Sequence, residues 1–214
     1  MTSILYSNYN CPHSLKTSFF LSIKGIKFER VEVDLSSKQQ KTPAYLAKNP
    51  NGTVPAYEHQ DGVLGTSLEV MEYADQYMDG VRLFPDDPDQ KAQVLAWMKR
   101  GDEDFWDVSH HLYWQLLDPP ADGTDWEEVD RLKTKGIRLL QELEAILSTQ
   151  DYIMGELTAA DIVVSVWLYG FRRFDLPENP DDFPYVMTWL DKLTSQPAFQ
   201  DNYRAKGKPF AEMA

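Results

Sequence analysis

The hydrophobic period of this chain changes once, across residues 82–88, and that change limits the architectures open to it. Pro85 and Pro88 interrupt regular backbone there, because proline lacks the N–H that a helix interior or a sheet ladder needs. Ahead of them, short extended runs alternate with helical patterns. Residues 3–6 read as a strand. Cys11-Pro12 then opens a helix with Leu15, Phe19, Phe20 and Ile23 at helical spacing, and Gly25 stops it. Residues 28–33 alternate apolar and polar, as a half-buried strand does. Residues 43–46 form a short helix or turn, and Asn49-Pro50-Asn51-Gly52 is a dense turn signal. Residues 54–57 and 62–64 pair as a hairpin around Gln60-Asp61-Gly62. Ser67 precedes a helix with Leu68, Met71, Ala74 and Met78 on its apolar face, ended by Gly80. The order is β-α-β-α-β-β-α.

From Asp89 onward the period is helical. One long helix is expected to residue 117, a loop over 118–123, a second helix over 126–147, a third from Thr158 and a fourth over 184–195. The expected layout is an α/β domain over residues 1–80, a linker over 81–88 and an all-α domain over 89–214. No internal repeat or low-complexity tract is present. A chain of 214 residues, 43% hydrophobic and 26% charged, has the composition of a folded protein with a sizeable core.

Charge and cysteine usage narrow the function. Residues 1–88 carry 8 basic and 11 acidic groups and residues 89–214 carry 13 and 23, so the net charge of −13 falls mostly on the helical half. Such a surface repels phosphate backbones and anionic headgroups, which argues against nucleic-acid and membrane partners. The longest strongly apolar run, residues 162–171, is half the length of about 20 residues that a spanning helix needs. The opening Ser3-Ile4-Leu5-Tyr6 lacks the basic and long apolar regions of a secretory signal, so a cytoplasmic location is expected. One cysteine excludes an internal disulfide framework and any Cys-cluster zinc site.

Three short motifs carry chemistry. Cys11-Pro12 places a thiol at a helix start, where unpaired N–H groups and the dipole favour the nucleophilic thiolate. A lone buried, inert cysteine is the competing reading. Ser14 stands where a C-x-x-C motif would have its second thiol, so redox chemistry would need an external one. Val54-Pro55 is a candidate cis peptide that would turn the Val54 backbone toward an extended, peptide-like ligand, against the alternative of an ordinary trans edge proline. Thr66-Ser67 sets small hydroxyls at a strand-to-helix junction, where helix-start N–H groups can bind a carboxylate; a plain N-cap role for Ser67 is the alternative.

Those pieces, in that order, resemble the cytosolic glutathione S-transferase family over nearly the whole chain. The matching segments are Leu5-Tyr6 before Cys11-Pro12, residues 49–55, and Thr66-Ser67 leading to Met71-Glu72-Tyr73. In the helical half they are the capping-box pattern at residues 157–162, and Trp189 with Gln196-Pro197-Ala198-Phe199. The resemblance implies an α/β thioredoxin-like N-terminal domain plus an all-α C-terminal helical domain, glutathione as co-substrate, no metal cofactor and a homodimer. It puts Cys11 at the catalytic position that holds Ser or Cys in several classes, with Tyr6 and Ser7 as rivals and Asn10 in support. Val54 and Pro55 would meet the cysteinyl part of glutathione, Thr66 and Ser67 its γ-glutamyl carboxylate, and Lys41 or a neighbouring glutamine its glycyl carboxylate. Thr66 departs from the family's usual acidic residue.

In the helical half, Trp106, His110 and Trp114 would wall the site of the second substrate, with Phe105, His111 and Tyr113 nearby; core or interface packing is the competing role for such aromatics. His110-His111 do not suggest a metal, because adjacent helical side chains diverge by about 100° and neither has a carboxylate at i+4. Three functions remain open: conjugation of glutathione to small electrophiles with thiol exchange at Cys11, a glutathione-dependent disulfide or dehydroascorbate reductase, and a non-catalytic binding scaffold.

Overall fold

In the computed structural model, which describes residues 3–203, the chain forms two compact units. One combines the chain up to Phe84 with residues from Gln196 onward; the other is Pro85–Ser195.

The first unit is built on four strands, β1 (Ser3–Ser7), β2 (Phe28–Glu32), β3 (Ala56–His59) and β4 (Gly62–Leu64), in the order β2-β1-β3-β4. β1 runs parallel to β2, with Leu5 opposite Arg30, and antiparallel to β3, with Leu5 opposite Tyr57; β4 closes the hairpin against β3. The parallel pair requires a crossover, which helix α1 (Pro12–Ile23) supplies. Pro12 at its first turn fits where a missing N–H is harmless, and Gly25 leaves the helix at φ +76°. The short α2 (Pro43–Leu46) is capped by the Thr42 side chain. α3 (Ser67–Tyr77) packs on α1, and Leu5, Phe19, Phe20, Tyr57, Val70 and Met71 form a fully buried core. Asp75 ties the end of α3 down. It accepts from Lys24 Nζ at 3.1 Å, Arg82 Nε at 3.0 Å and the Leu83 N–H at 2.8 Å.

Two boundaries differ from the sequence reading. β3 starts at Ala56 rather than residue 54, because Pro55 has no N–H for the ladder. The short α9 (Pro197–Gln200) packs on α1 of the first unit, although periodicity alone groups everything from residue 89 to 214. The fully buried Phe199 explains this, meeting the Phe19 ring edge-on at 5.4 Å. Arg30 donates to Asn202 Oδ1 at 2.5 Å, and Asn202 Nδ2 donates to Ser22 Oγ at 2.8 Å.

The second unit is helical. α4 (Pro88–Arg100) continues through a π-helical turn, Gly101–Phe105, into α5 (Trp106–Leu116). A Cβ on Gly101 would lie 2.8 Å from Val163 Cγ1, so only glycine admits α7 (Ala159–Phe171) so closely. α6 (Trp126–Leu147) buries Val129, Leu132, Gly136, Leu139, Leu140, Leu143 and Leu147, one stripe at helical spacing. α7 is the unit's centre, with nearly every side chain buried, and α8 (Pro184–Thr194) packs beside it. Among the described residues no helix is long and apolar enough to cross a membrane.

Candidate active site

Cys11 is the N-cap residue of α1, extended at φ −94° and ψ 115°, and its side chain makes no cap hydrogen bond. It is half-buried against Val33, Tyr45, Val54 and Ala56, with Sγ 3.9 Å from the Val54 carbonyl oxygen. The loop before it is held by the buried Asn8. Its Nδ2 donates to the Val33 carbonyl at 2.9 Å, its Oδ1 accepts from the Asn10 N–H at 2.9 Å, and its carbonyl accepts from the Cys11 N–H at 3.1 Å. Asn10 itself is exposed beside the thiol.

The Val54-Pro55 peptide is cis, as is Leu176-Pro177 in the helical unit, which the sequence reading did not foresee. Among the described residues the Val54 N–H meets no acceptor, so an open donor lies beside the thiol. Thr53 and Gly65, which flank the hairpin strands, are bridged by Asn49, only 1% exposed. Its Nδ2 donates to the Thr53 carbonyl at 2.8 Å and to the Gly65 carbonyl at 3.2 Å, while Oδ1 accepts from the Asn51 N–H at 3.1 Å. Tyr45 adds a bond from its hydroxyl to the Thr53 carbonyl at 2.7 Å, and burial pushes its pKa up to about 12.

The N-cap of α3 is Thr66, not Ser67. The reason is a capping box: the Glu69 N–H donates to Thr66 Oγ1 at 3.2 Å, and Glu69 Oε2 accepts from the Gly65 and Thr66 N–H groups at 3.1 and 3.0 Å. Ser67 is thereby the first helical residue. Among the described residues its hydroxyl and the first-turn N–H groups of Ser67 and Leu68 have no partner, the arrangement that suits a carboxylate. Lys41 lies exposed in the 3-10 turn Gln39–Lys41, its Nζ over Gly52, where a Cβ would approach it to 2.9 Å.

The rivals to Cys11 are otherwise engaged. Ser7 is fully buried and its hydroxyl accepts from Arg30 at 2.8 Å. Successive strand residues alternate faces, and Tyr6 turns to the same cluster as Cys11. Its hydroxyl, however, donates to Glu58 Oε2 at 2.7 Å, which also takes Lys48 Nζ at 2.8 Å. Burial holds the Tyr6 pKa above its ordinary value, with Glu58 adding to the rise against Lys48. Lys48 in turn pulls the Glu58 carboxyl below its usual range.

In the helical unit, Trp106, His110 and Trp114 share one face of α5. Trp106 stacks on His110 at 4.5 Å, and Trp114 Nε1 donates to His110 Nε2 at 3.1 Å. Burial lowers the His110 pKa, and neighbouring His111 lowers it further against Asp107. His111 Nδ1 lies 3.0 Å from Asp107 Oδ1. Among the described residues no group of three or more His, Cys, Asp or Glu side chains could hold a metal ion.

Asn8, Asn49 and Glu69 brace the candidate site, and the sequence reading gave none of them a role there, although Asn49 opens the turn motif at residues 49–52. Thr66-x-x-Glu69 has capping-box spacing and was legible, whereas Asn8 and Asn49 look like ordinary loop asparagines until their long-range bonds are seen.

A thioredoxin-like unit with a thiol at a helix start, an open backbone edge and an open helix N-terminus precedes an all-helical unit in the chain. Residues 1–76 match the family model for the glutathione S-transferase N-terminal domain, and residues 105–197 the one for its C-terminal domain. Glutathione S-transferase F14 of Arabidopsis thaliana is 31% identical over 196 residues, covering 85% of this chain and 75% of that protein. The crystal structure of glutathione transferase F7 from Populus trichocarpa superposes with a TM-score of 0.81 at 26% identity, covering 98% of this chain and 100% of that one. Glutathione transferase URE2P8 from Phanerochaete chrysosporium, solved with oxidized glutathione, gives 0.82 at 26% identity, covering 94% and 93%. The chain belongs to the glutathione S-transferase family and is a transferase of that kind.

Proposed function

We propose that the protein transfers glutathione to small electrophiles, with the tripeptide bound across the first unit. The open Val54 N–H beside Cys11 carries this reading, because an extended peptide can pair with it while presenting its own thiol to the helix start. Pro55 shapes that edge. The γ-glutamyl carboxylate then meets the Ser67 hydroxyl and the free N–H groups at the start of α3, with Thr66 fixing that corner. Lys41 takes the glycyl carboxylate, and Asn10 borders the thiol. Trp106, His110 and Trp114 are assigned to the apolar part of the electrophile. Titration calorimetry with glutathione, and a panel of halo-aromatic, isothiocyanate and disulfide substrates, test this. Saturable binding and turnover of one substrate class are expected; neither binding nor turnover sinks the reading.

A second activity rests on the partly exposed, uncapped thiol of Cys11. Its thiolate would attack the glutathionyl sulfur of a mixed disulfide, forming Cys11–S–S–glutathione and releasing the other thiolate. A glutathione thiolate then attacks that sulfur, returning Cys11 as thiolate and leaving oxidised glutathione. Cys11→Ser separates the two activities: exchange is lost, while conjugation persists. Loss of neither assigns the exchange elsewhere.

A further inference from the structure

The end of α7, the turn after it and α8 enclose a cavity of about 590 Å³ inside the helical unit, a size usual for small-molecule sites. Leu168, Leu176, Met187 and Leu190 line it with apolar side chains, and all but Met187 are buried. Its walls are fixed. The Leu176 N–H donates to the Phe171 carbonyl at 3.3 Å, and the Leu176 side chain fills the notch at Gly136 of α6, where a Cβ would meet Leu176 Cδ2 at 2.5 Å. No residue assigned above to glutathione or to the electrophile lines this cavity.

The charged part of the lining is three carboxylates and one guanidinium: Asp175, Glu178, Asp191 and Arg172. Arg172 already donates to Asp191 at 2.5 Å, and Lys133 donates to Glu178 at 3.2 Å. Asp175 is left over. It is exposed at the turn, and among the described residues its carboxylate has no hydrogen-bond or ion-pair partner. Residues 89–214 around it carry 13 basic and 23 acidic groups, a field that concentrates cations and repels anions.

We propose that this cavity binds an organic cation with an apolar body, the ammonium lying at Asp175 and the body against Leu168, Leu176, Met187 and Leu190. A neutral ligand would leave Asp175 without a counter-charge, and an anion would have to displace Asp191 from Arg172. The flexible, polarisable Met187 lets one wall adapt to bodies of different shape. The site is independent of the glutathione reading.

Calorimetry on the full-length protein with phenylbutyl-trimethylammonium, phenylbutanol and phenylbutyrate tests this. The cation should bind at one site per chain with a Kd below about 1 mM, the alcohol about fivefold more weakly, and the carboxylate not measurably. Asp175→Asn should weaken the cation about fivefold, the upper range for an exposed charge pair, and leave the alcohol unchanged. Asparagine also suits the left-handed backbone at this position, φ 49°, so that variant keeps the turn. Met187→Trp fills the cavity and should abolish binding of both; if it does not fold, Asp175→Asn alone decides. Cation binding that does not saturate, that the alcohol matches, or that keeps full strength in Asp175→Asn overturns the proposal. Displacement of the cation by S-hexylglutathione overturns it too, because that places the cation in the transferase site. Failure here leaves the glutathione reading intact.

Discussion

A tyrosine hydroxyl bound to a carboxylate is poorly placed to serve a second acceptor. Tyr6 donates to Glu58, and burial holds its pKa above the ordinary value, so Tyr6→Phe should leave glutathione turnover within about threefold of wild type, an effect of under about 1 kcal/mol. Cys11→Ser, by contrast, should abolish disulfide exchange. Steady-state kinetics on both variants check this, and a hundredfold loss in Tyr6→Phe would make Tyr6 the activating group. His110 gives a pH prediction. Its Nε2 accepts from Trp114 and so must be unprotonated, and burial lowers its pKa below 6.5. A depressed folded value means that its contribution to stability is complete above 6.5 and is lost as pH falls through the folded value. Tryptophan fluorescence should therefore show a transition below pH 6.5 that disappears in His110→Gln; a midpoint above 6.5 contradicts the assignment. Both residues were visible in the sequence as aromatic or titratable candidates. Trp114, four residues from His110, was grouped with it, whereas the partner of Tyr6 was hidden because Glu58 lies 52 residues away.

At the scale of elements, legibility followed locality. The helix starting at Thr158 could be read from its own spacing, and Asp161 indeed reaches back to the Thr158 N–H at 2.9 Å. What spacing could not show is that the same carboxylate accepts from the Ile153 N–H at 2.9 Å and from Trp189 Nε1 at 3.0 Å. One buried side chain thus joins α7 to α8 and to the turn before it. Asp161→Ala takes the acceptor from four buried donors, the Thr158 hydroxyl being the fourth, and should lower stability by about 3–5 kcal/mol, read as a shifted urea midpoint with unchanged slope. A loss under about 1 kcal/mol would mean that water replaces the carboxylate. The π-helical turn at Gly101–Phe105 was hidden for a different reason. Its flanks keep helical period, and the close approach of Val163 that makes Gly101 necessary belongs to another helix.

At the scale of the whole molecule, residues 197–203 do not lie in the unit where periodicity would leave them. Helix α9 returns to the first unit because a short apolar segment is stable only where its large ring finds a cavity, and Phe199 finds one beside Phe19. That partnership is long-range and left no pattern in the sequence beyond Pro197-Ala198-Phe199 itself. The distribution of probes makes it measurable. All six tryptophans lie at or beyond residue 97, inside Pro85–Ser195, whereas the single thiol, Cys11, begins the helix on which Phe199 rests. Phe199→Ala removes a fully buried ring and should cost about 3–5 kcal/mol. The expected result is that the change in the rate at which the half-buried Cys11 reacts with a thiol reagent comes at lower urea than in wild type, by the shift that this loss dictates. Because Phe199 lies beside α1 rather than at the Val54 edge, glutathione affinity measured without denaturant should change less than twofold. An unshifted thiol transition would show that α9 contributes nothing to the first unit, and that the residues after Gln196 serve it only by proximity.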